Sequence, residues 1–246
     1  MTSWLTCPAP RPGARLRLVC FPHAGGTASF FRRWGAALPD IEVHAVRYPG
    51  RADRITEPHP GSLFELAREA AHAIRTTLDG PVALFGHSLG ATAAFETARV
   101  LRDDGAEPVH LFVSGSRAPH LPGSDITRRA ARDDAATLSV LRELGGTDEE
   151  FLATPLFREL VLPAVRGDFR LADTYRHHPA VPLGCPLTAL VGDTDPEVSE
   201  ADCAAWASHT HGPFTHHVLP GDHFYLATDP PFALVGSVPC GSAIAD

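Results

Sequence analysis

The chain has 246 residues, 44% of them hydrophobic, and a formal net charge of −8 at pH 7. That length supports one sizeable core in a single domain, 1–246, and the acidic balance excludes a nucleic-acid binder, which needs clustered positive charge. No lysine occurs, which excludes Schiff-base chemistry, a P-loop lysine and a Ser-Lys dyad.

Residues 1–14 hold three prolines and a glycine and read as an extended segment. They show no basic region followed by an apolar core, so no signal peptide is expected. No apolar run approaches the roughly 20 residues that span a bilayer. Arg15 to Phe21 suits a strand, followed by a small-residue loop, Pro22-His23-Ala24-Gly25-Gly26. Ala28 to Leu38 reads as a helix and Ile41 to Tyr48 as a second strand. Ser62 reads as an N-cap for an amphipathic helix that Asp79-Gly80-Pro81 ends.

An apolar strand, Pro81 to Phe85, then runs into Gly86-His87-Ser88-Leu89-Gly90, and a small-residue helix follows to about Arg102. G-x-S-x-G between strand and helix is the pattern of a nucleophile elbow. The serine there occupies a strained turn, and its neighbours must be small. Val109 to Ser114 is another strand. Strands alternating with helices predict an α/β fold with a mostly parallel sheet.

Between about 119 and 182 no strand is expected. Three helical patterns fill the interval: Ala135 to Leu144, Asp148 to Ala153, and Leu156 to Arg176 with a kink at Pro163. A helical insertion of this length is expected to form a lid. Strands resume at Pro186 to Val191 and at Phe214 to Leu219, with a helix, Glu200 to Thr210, between them. The tail from Pro230 is expected to form at most a short closing helix.

A serine hydroxyl needs a general base, and that base needs an orienting acid. In a parallel sheet both are sought just past the strand ends. His223 follows the last strand in Pro220-Gly221-Asp222-His223. Asp195 and Asp193 follow the preceding strand; Asp195, fixed by Pro196, is preferred, and Asp193 is expected to bond within the turn. The order Ser88, Asp195, His223 is that of α/β-hydrolases. The oxyanion hole is expected from the backbone amides of Leu89 and Ala24. His23 reads as a loop-shaping residue. His216 and His217 lie mid-strand, His177 and His178 at the end of the insertion, and His209 and His211 at i, i+2, so no metal site is expected. The five cysteines (7, 20, 185, 203 and 240) are odd in number and lack C-x-x-C spacing; reduced thiols in a cytoplasmic protein are expected.

These residues resemble the type II thioesterases, the editing enzymes of polyketide and nonribosomal peptide synthesis. The matching segments span nearly the whole chain: Leu18 to Gly26, Tyr48-Pro49-Gly50-Arg51 with Glu57-Pro58, and Gly86 to Gly90. Leu144-Gly145-Gly146-Thr147, Leu162 to Phe169, Gly192 to Pro196 and Gly221-Asp222-His223-Phe224 complete them. The family often carries Met where this chain has Leu89, and only the backbone amide is needed there. The resemblance implies an acyl thioester on the phosphopantetheine arm of a carrier domain as substrate, hydrolysis through an acyl-enzyme on Ser88, and no cofactor. It also implies a monomer that docks its acidic carrier through local arginines, with Arg32, Arg33, Arg51 and Arg54 as candidates. A broad carboxylesterase of free small esters or acyl-CoA is the alternative. A cyclising terminal thioesterase is disfavoured because no carrier domain is fused to the chain.

Overall fold

The computed structural model describes residues 3–239; Cys240 lies outside them. Seven strands form one sheet in the order β1-β3-β2-β4-β5-β6-β7. They are β1 (Leu5–Thr6), β2 (Leu16–Phe21), β3 (Ile41–Val46), β4 (Val82–His87), β5 (His110–Ser114), β6 (Leu187–Gly192) and β7 (Phe214–Leu219). Only β1 runs antiparallel, pairing Leu5 with Val46. Parallel strands covered on both faces are apolar along their length, and β2 to β6 are buried accordingly. Alternate residues feed two cores: Leu84 packs on one face, Ala83 and Phe85 on the other. β7 is the edge, so its pattern is half exposed.

The helices are α1 (Trp34–Ala37), α2 (Leu63–Thr77), α3 (Leu89–Asp103), α4 (Asp125–Ala130), α5 (Asp134–Leu144), α6 (Glu149–Leu152), α7 (Leu162–Thr174), α8 (Glu200–Ala204) and α9 (Phe232–Gly236). Ser62 caps α2, its side chain accepting from the Glu65 amide, a bond that contributes about 1 kcal/mol. α4 to α7 lie between β5 and β6 and carry a third apolar core, built on Ile126, Leu141, Phe157 and Phe169.

Several boundaries depart from the expectations. The leading segment contains β1, because Leu5 and Thr6 pair with β3. The helix expected over 28–38 is a 3-10 turn, Ala28–Phe31, followed by α1. The helix expected over 200–210 changes to a 3-10 turn at Ala205–His209. α4 was not expected; Ser124 caps it through the Thr127 amide. The helix expected from Leu156 begins as a π-helix, Phe157–Val161, and becomes α7 at Leu162. Pro163 has no N–H to donate, so it sits at the first turn of α7, where none is needed. The closing helix α9 does form. No helix among the described residues is long and apolar enough to cross a membrane.

Candidate active site

The parallel register sets the site. Phe21 on β2 pairs with Gly86 on β4, and His87 pairs with Ser114 on β5. The carboxyl ends of these strands therefore share one edge, and so do those of β6 and β7, where Gly192 pairs with Leu219. Ala24, Ser88, Asp195 and His223 all leave the sheet along this edge.

Ser88 has φ 55° and ψ −122°, a conformation that costs a non-glycine residue on the order of 1–3 kcal/mol. The turn is held by the Ser88 amide donating to the Ser114 carbonyl at 2.8 Å and by the Ala91 amide donating to the Ser88 carbonyl at 2.9 Å. Its close neighbours explain the glycines: a Cβ on Gly90 would collide with the Phe21 carbonyl, and one on Gly86 with the Gly90 carbonyl. The amides of Leu89 and Ala24 donate to no acceptor among the described residues. The Leu89 amide is one of the orphan donors at the start of α3.

His223 is 1% exposed. Its Nδ1 lies 2.8 Å from Asp195 Oδ2, which leaves Nε2 free to face a reacting group. Asp195 Oδ1 accepts the amides of Glu197 at 2.8 Å and Val198 at 3.2 Å, so the carboxylate is oriented from both ends. Asp193, expected to bond within its own turn, instead accepts the Gly221 amide of the loop after β7 at 2.9 Å. Burial opposes a charge on His223, but the hydrogen bond and charge of Asp195, with Glu197 and Asp222, outweigh it and raise its pKa. Ser88 Oγ makes no hydrogen bond among the described residues. Such bonds are often long before substrate arrives.

A second layer of polar groups lies beneath. His87 Nδ1 meets Ser114 Oγ at 3.0 Å, and Ser114 Oγ meets the Tyr225 hydroxyl at 2.6 Å. The His87 ring stands 5.1 Å from the His223 ring. Burial, then His223 and His23, keep His87 neutral by pushing its pKa well down. His23 packs between Phe30 and Phe224 at 4.8 and 5.0 Å, and burial, then His223, lowers its pKa to about 4. This packing fits the loop-shaping role expected of it.

Arg51 and Arg54 were candidates for an exposed docking patch, and the structure overturns that. They are 5% and 4% exposed. Arg54 forks onto Glu57 and stacks over Trp4. Arg51 binds Asp168 of α7 through both nitrogens, at 2.5 and 2.6 Å. Arg32 and Arg33 are exposed. The signal for Asp168 was present but easily passed over: a carboxylate on the apolar stripe of α7, in line with Ala164, Val165 and Leu171. Far from Ser88, at the β1 edge, Cys7, Glu42 and His44 lie close enough to share an ion. There Glu42 is already held by His44 at 2.7 Å and by the Arg11 amide.

A cavity of about 130 Å³ opens beside Ser88, walled by α3, the loop after β5, the end of α7 and Glu197.

A family model described as a thioesterase domain matches residues 16–238. The chain is 46% identical to thioesterase PikA5 of Streptomyces venezuelae over 226 residues, 91% of this chain and 80% of that one. Among solved structures, the type II thioesterase BorB of the borrelidin cluster superposes with a TM-score of 0.85 at 40% identity, covering 95% of this chain and 96% of that one. YbtT, the type II thioesterase of the yersiniabactin NRPS/PKS pathway, gives 0.82 at 34% identity, with 95% and 94% covered.

Proposed function

The chain belongs to the thioesterase domain family and is a thioester hydrolase of the type II kind, and from that premise we propose that it clears acyl groups from the phosphopantetheine arm of carrier domains in polyketide or nonribosomal peptide synthesis. Ser88 Oγ attacks the thioester carbonyl while His223 Nε2 takes its proton. The amides of Leu89 and Ala24 receive the oxyanion. As the carbonyl reforms, the C–S bond breaks and His223 returns the proton to the arm's sulfur. Water repeats the sequence on the acyl-enzyme and frees the acid. With Asp195 orienting His223, three side chains and two backbone amides carry both steps, and the reaction calls for no cofactor. The protein acts as a cytoplasmic monomer, with α4 to α7 as a lid over the arm and acyl group, and exposed Arg32 and Arg33 meeting the acidic carrier.

The observation that carries this reading is the His223–Asp195 bond of 2.8 Å on the strand edge that also bears Ser88 in its strained turn. It supports a base already oriented for a serine nucleophile. The test presents one acyl group as acyl-carrier, acyl-CoA and free ester. The expected result is fastest turnover of the acyl-carrier, lost in Ser88→Ala. Equal or faster turnover of the free ester sinks the proposal.

A further inference from the structure

The cavity beside Ser88 contains a carboxylate with no ion-pair partner among the described residues. Glu197 Oε1 accepts the hydroxyls of Ser124 at 2.6 Å and Thr127 at 3.0 Å. Its Oε2 has no hydrogen-bond partner among the described residues, and no arginine or histidine there lies within ion-pair distance of it. The other charged groups on the wall are otherwise engaged. Arg117 is committed to Asp202 at 3.0 Å and to the Pro122 carbonyl at 3.1 Å. Arg176 is exposed and donates to the carbonyls of Asp173 and Tyr175 at 2.6 and 2.7 Å. Asp173, also on the wall, adds a second carboxylate with no ion pair among the described residues.

Glu197 sits at the reacting end. It is two residues beyond Asp195, its amide helps orient that carboxylate, and its charge reaches His223. A half-buried carboxylate bonded only by hydroxyls is incompletely compensated, and a cation brought to its free oxygen would complete it. The described residues supply none, and an acyl group entering the cavity can.

We infer that Glu197 makes this cavity select acyl groups bearing a protonated amine, the aminoacyl thioesters, over uncharged acyl groups of the same shape. The inference rests on the proposed hydrolysis of acyl thioesters and names the acyl class that Ser88 receives. The ammonium donates to Glu197 Oε2 while the thioester carbonyl lies at Ser88. A hydrogen bond to a charged group of this kind is worth a factor of about 10 to 100 in binding.

The test uses alanyl- and isobutyryl-pantetheine, which differ by an ammonium in place of a methyl. Both are assayed on the whole chain below about pH 7, where an α-amine keeps its proton. Alanyl thioesters are more reactive in themselves, and Glu197 also acts on His223. Both effects cancel when the kcat/KM ratio of the two substrates is compared between wild type and Glu197→Gln. The glutamine keeps an oxygen for Ser124 and Thr127, and an unchanged melting temperature checks that the wall is intact. The expected result is a fall in the alanyl-to-isobutyryl ratio of about tenfold or more, with Glu197→Asp in between. A ratio unchanged within about twofold, well short of that factor, overturns the inference and leaves the thioesterase reading standing if Ser88→Ala is inactive. Absence of turnover of both substrates by the wild type overturns that reading, and the inference with it.

Discussion

Asp168 of α7 accepts the Gly25 amide at 2.7 Å, and this single carboxylate joins the helical insertion to the loop that carries Ala24. The same oxygen receives Arg51 Nη1. Gly25 itself has φ 73°, and a Cβ there would run into Val165 of α7. The loop after β2 is thus tied to the insertion as well as to the sheet side, where the Tyr48 hydroxyl donates to the Pro22 carbonyl at 3.1 Å. A buried pair broken on one side leaves an uncompensated charge, which costs about 3–5 kcal/mol. Asp168→Asn is expected to lose that much in urea unfolding, together with most of its kcat. Replacing both partners by apolar groups is far less harmful to stability. Arg51→Met with Asp168→Leu should therefore recover most of the stability without recovering kcat, because leucine offers the Gly25 amide no acceptor. Recovery of both would show that Asp168 serves the fold alone.

The pH dependence of turnover follows from His223. In the proposed mechanism His223 is the general base and must be neutral, so kcat/KM is expected to rise with pH through the His223 pKa. Burial lowers that value, but Asp195, then Glu197 and Asp222, more than offset it, so it lies above the ordinary 6.5. The acid limb is expected to have its midpoint above 6.5, and Glu197→Gln should move it downward. A wild-type midpoint at or below 6.5 contradicts this assignment.

The same groups shape stability against pH, with opposite signs. His223 has a raised folded pKa, so its contribution is complete below 6.5 and is lost as pH rises through its folded value. His23 and His87 are held neutral by burial, His23 down to about 4. Below 6.5 the unfolded chain takes protons that they refuse, and stability falls as the pH drops toward 4. The histidines together predict maximal stability near 6.5. Urea midpoints measured from pH 4 to 9 check this, and a curve rising steadily to pH 9 would refute it.

The sheet and the elbow were legible because their signals are local. An apolar run into G-x-S-x-G and a small-residue helix determines strand, turn and helix within twenty residues of Ser88. The pairing of His223 with Asp195 was legible because each follows a strand in a parallel sheet, and such strand ends share one edge. The distant partners were less so. Asp168 meets Arg51 and Gly25 across 117 and 143 residues, and no spacing rule reports such a contact. Arg51 looked like surface because arginine usually is; only the facing carboxylate of α7 makes its burial tolerable. Glu197 drew no notice either, since its partners Ser124 and Thr127 are the cap and first turn of α4, a helix whose six residues are too few for periodicity to declare.

Asp195→Asn separates catalysis from folding at one atom. Asp195 Oδ1 is held by the amides of Glu197 and Val198, and the asparagine oxygen can replace it there. Its NH2 group then faces His223 Nδ1, where the carboxylate had accepted a hydrogen bond. A donor at that place makes Nδ1 the acceptor and puts the ring proton on Nε2, the atom that must take the Ser88 proton. The base is present but in the wrong tautomer. The loss of kcat is expected to be about 10⁴-fold, the scale of the same change in a serine protease triad. The melting temperature should change far less than in Asp168→Asn, since Asp195 keeps two of its three bonds. The acid limb should also shift downward, because the group that raises the His223 pKa has lost its charge. A variant with kcat within tenfold of wild type would remove Asp195 from the reaction.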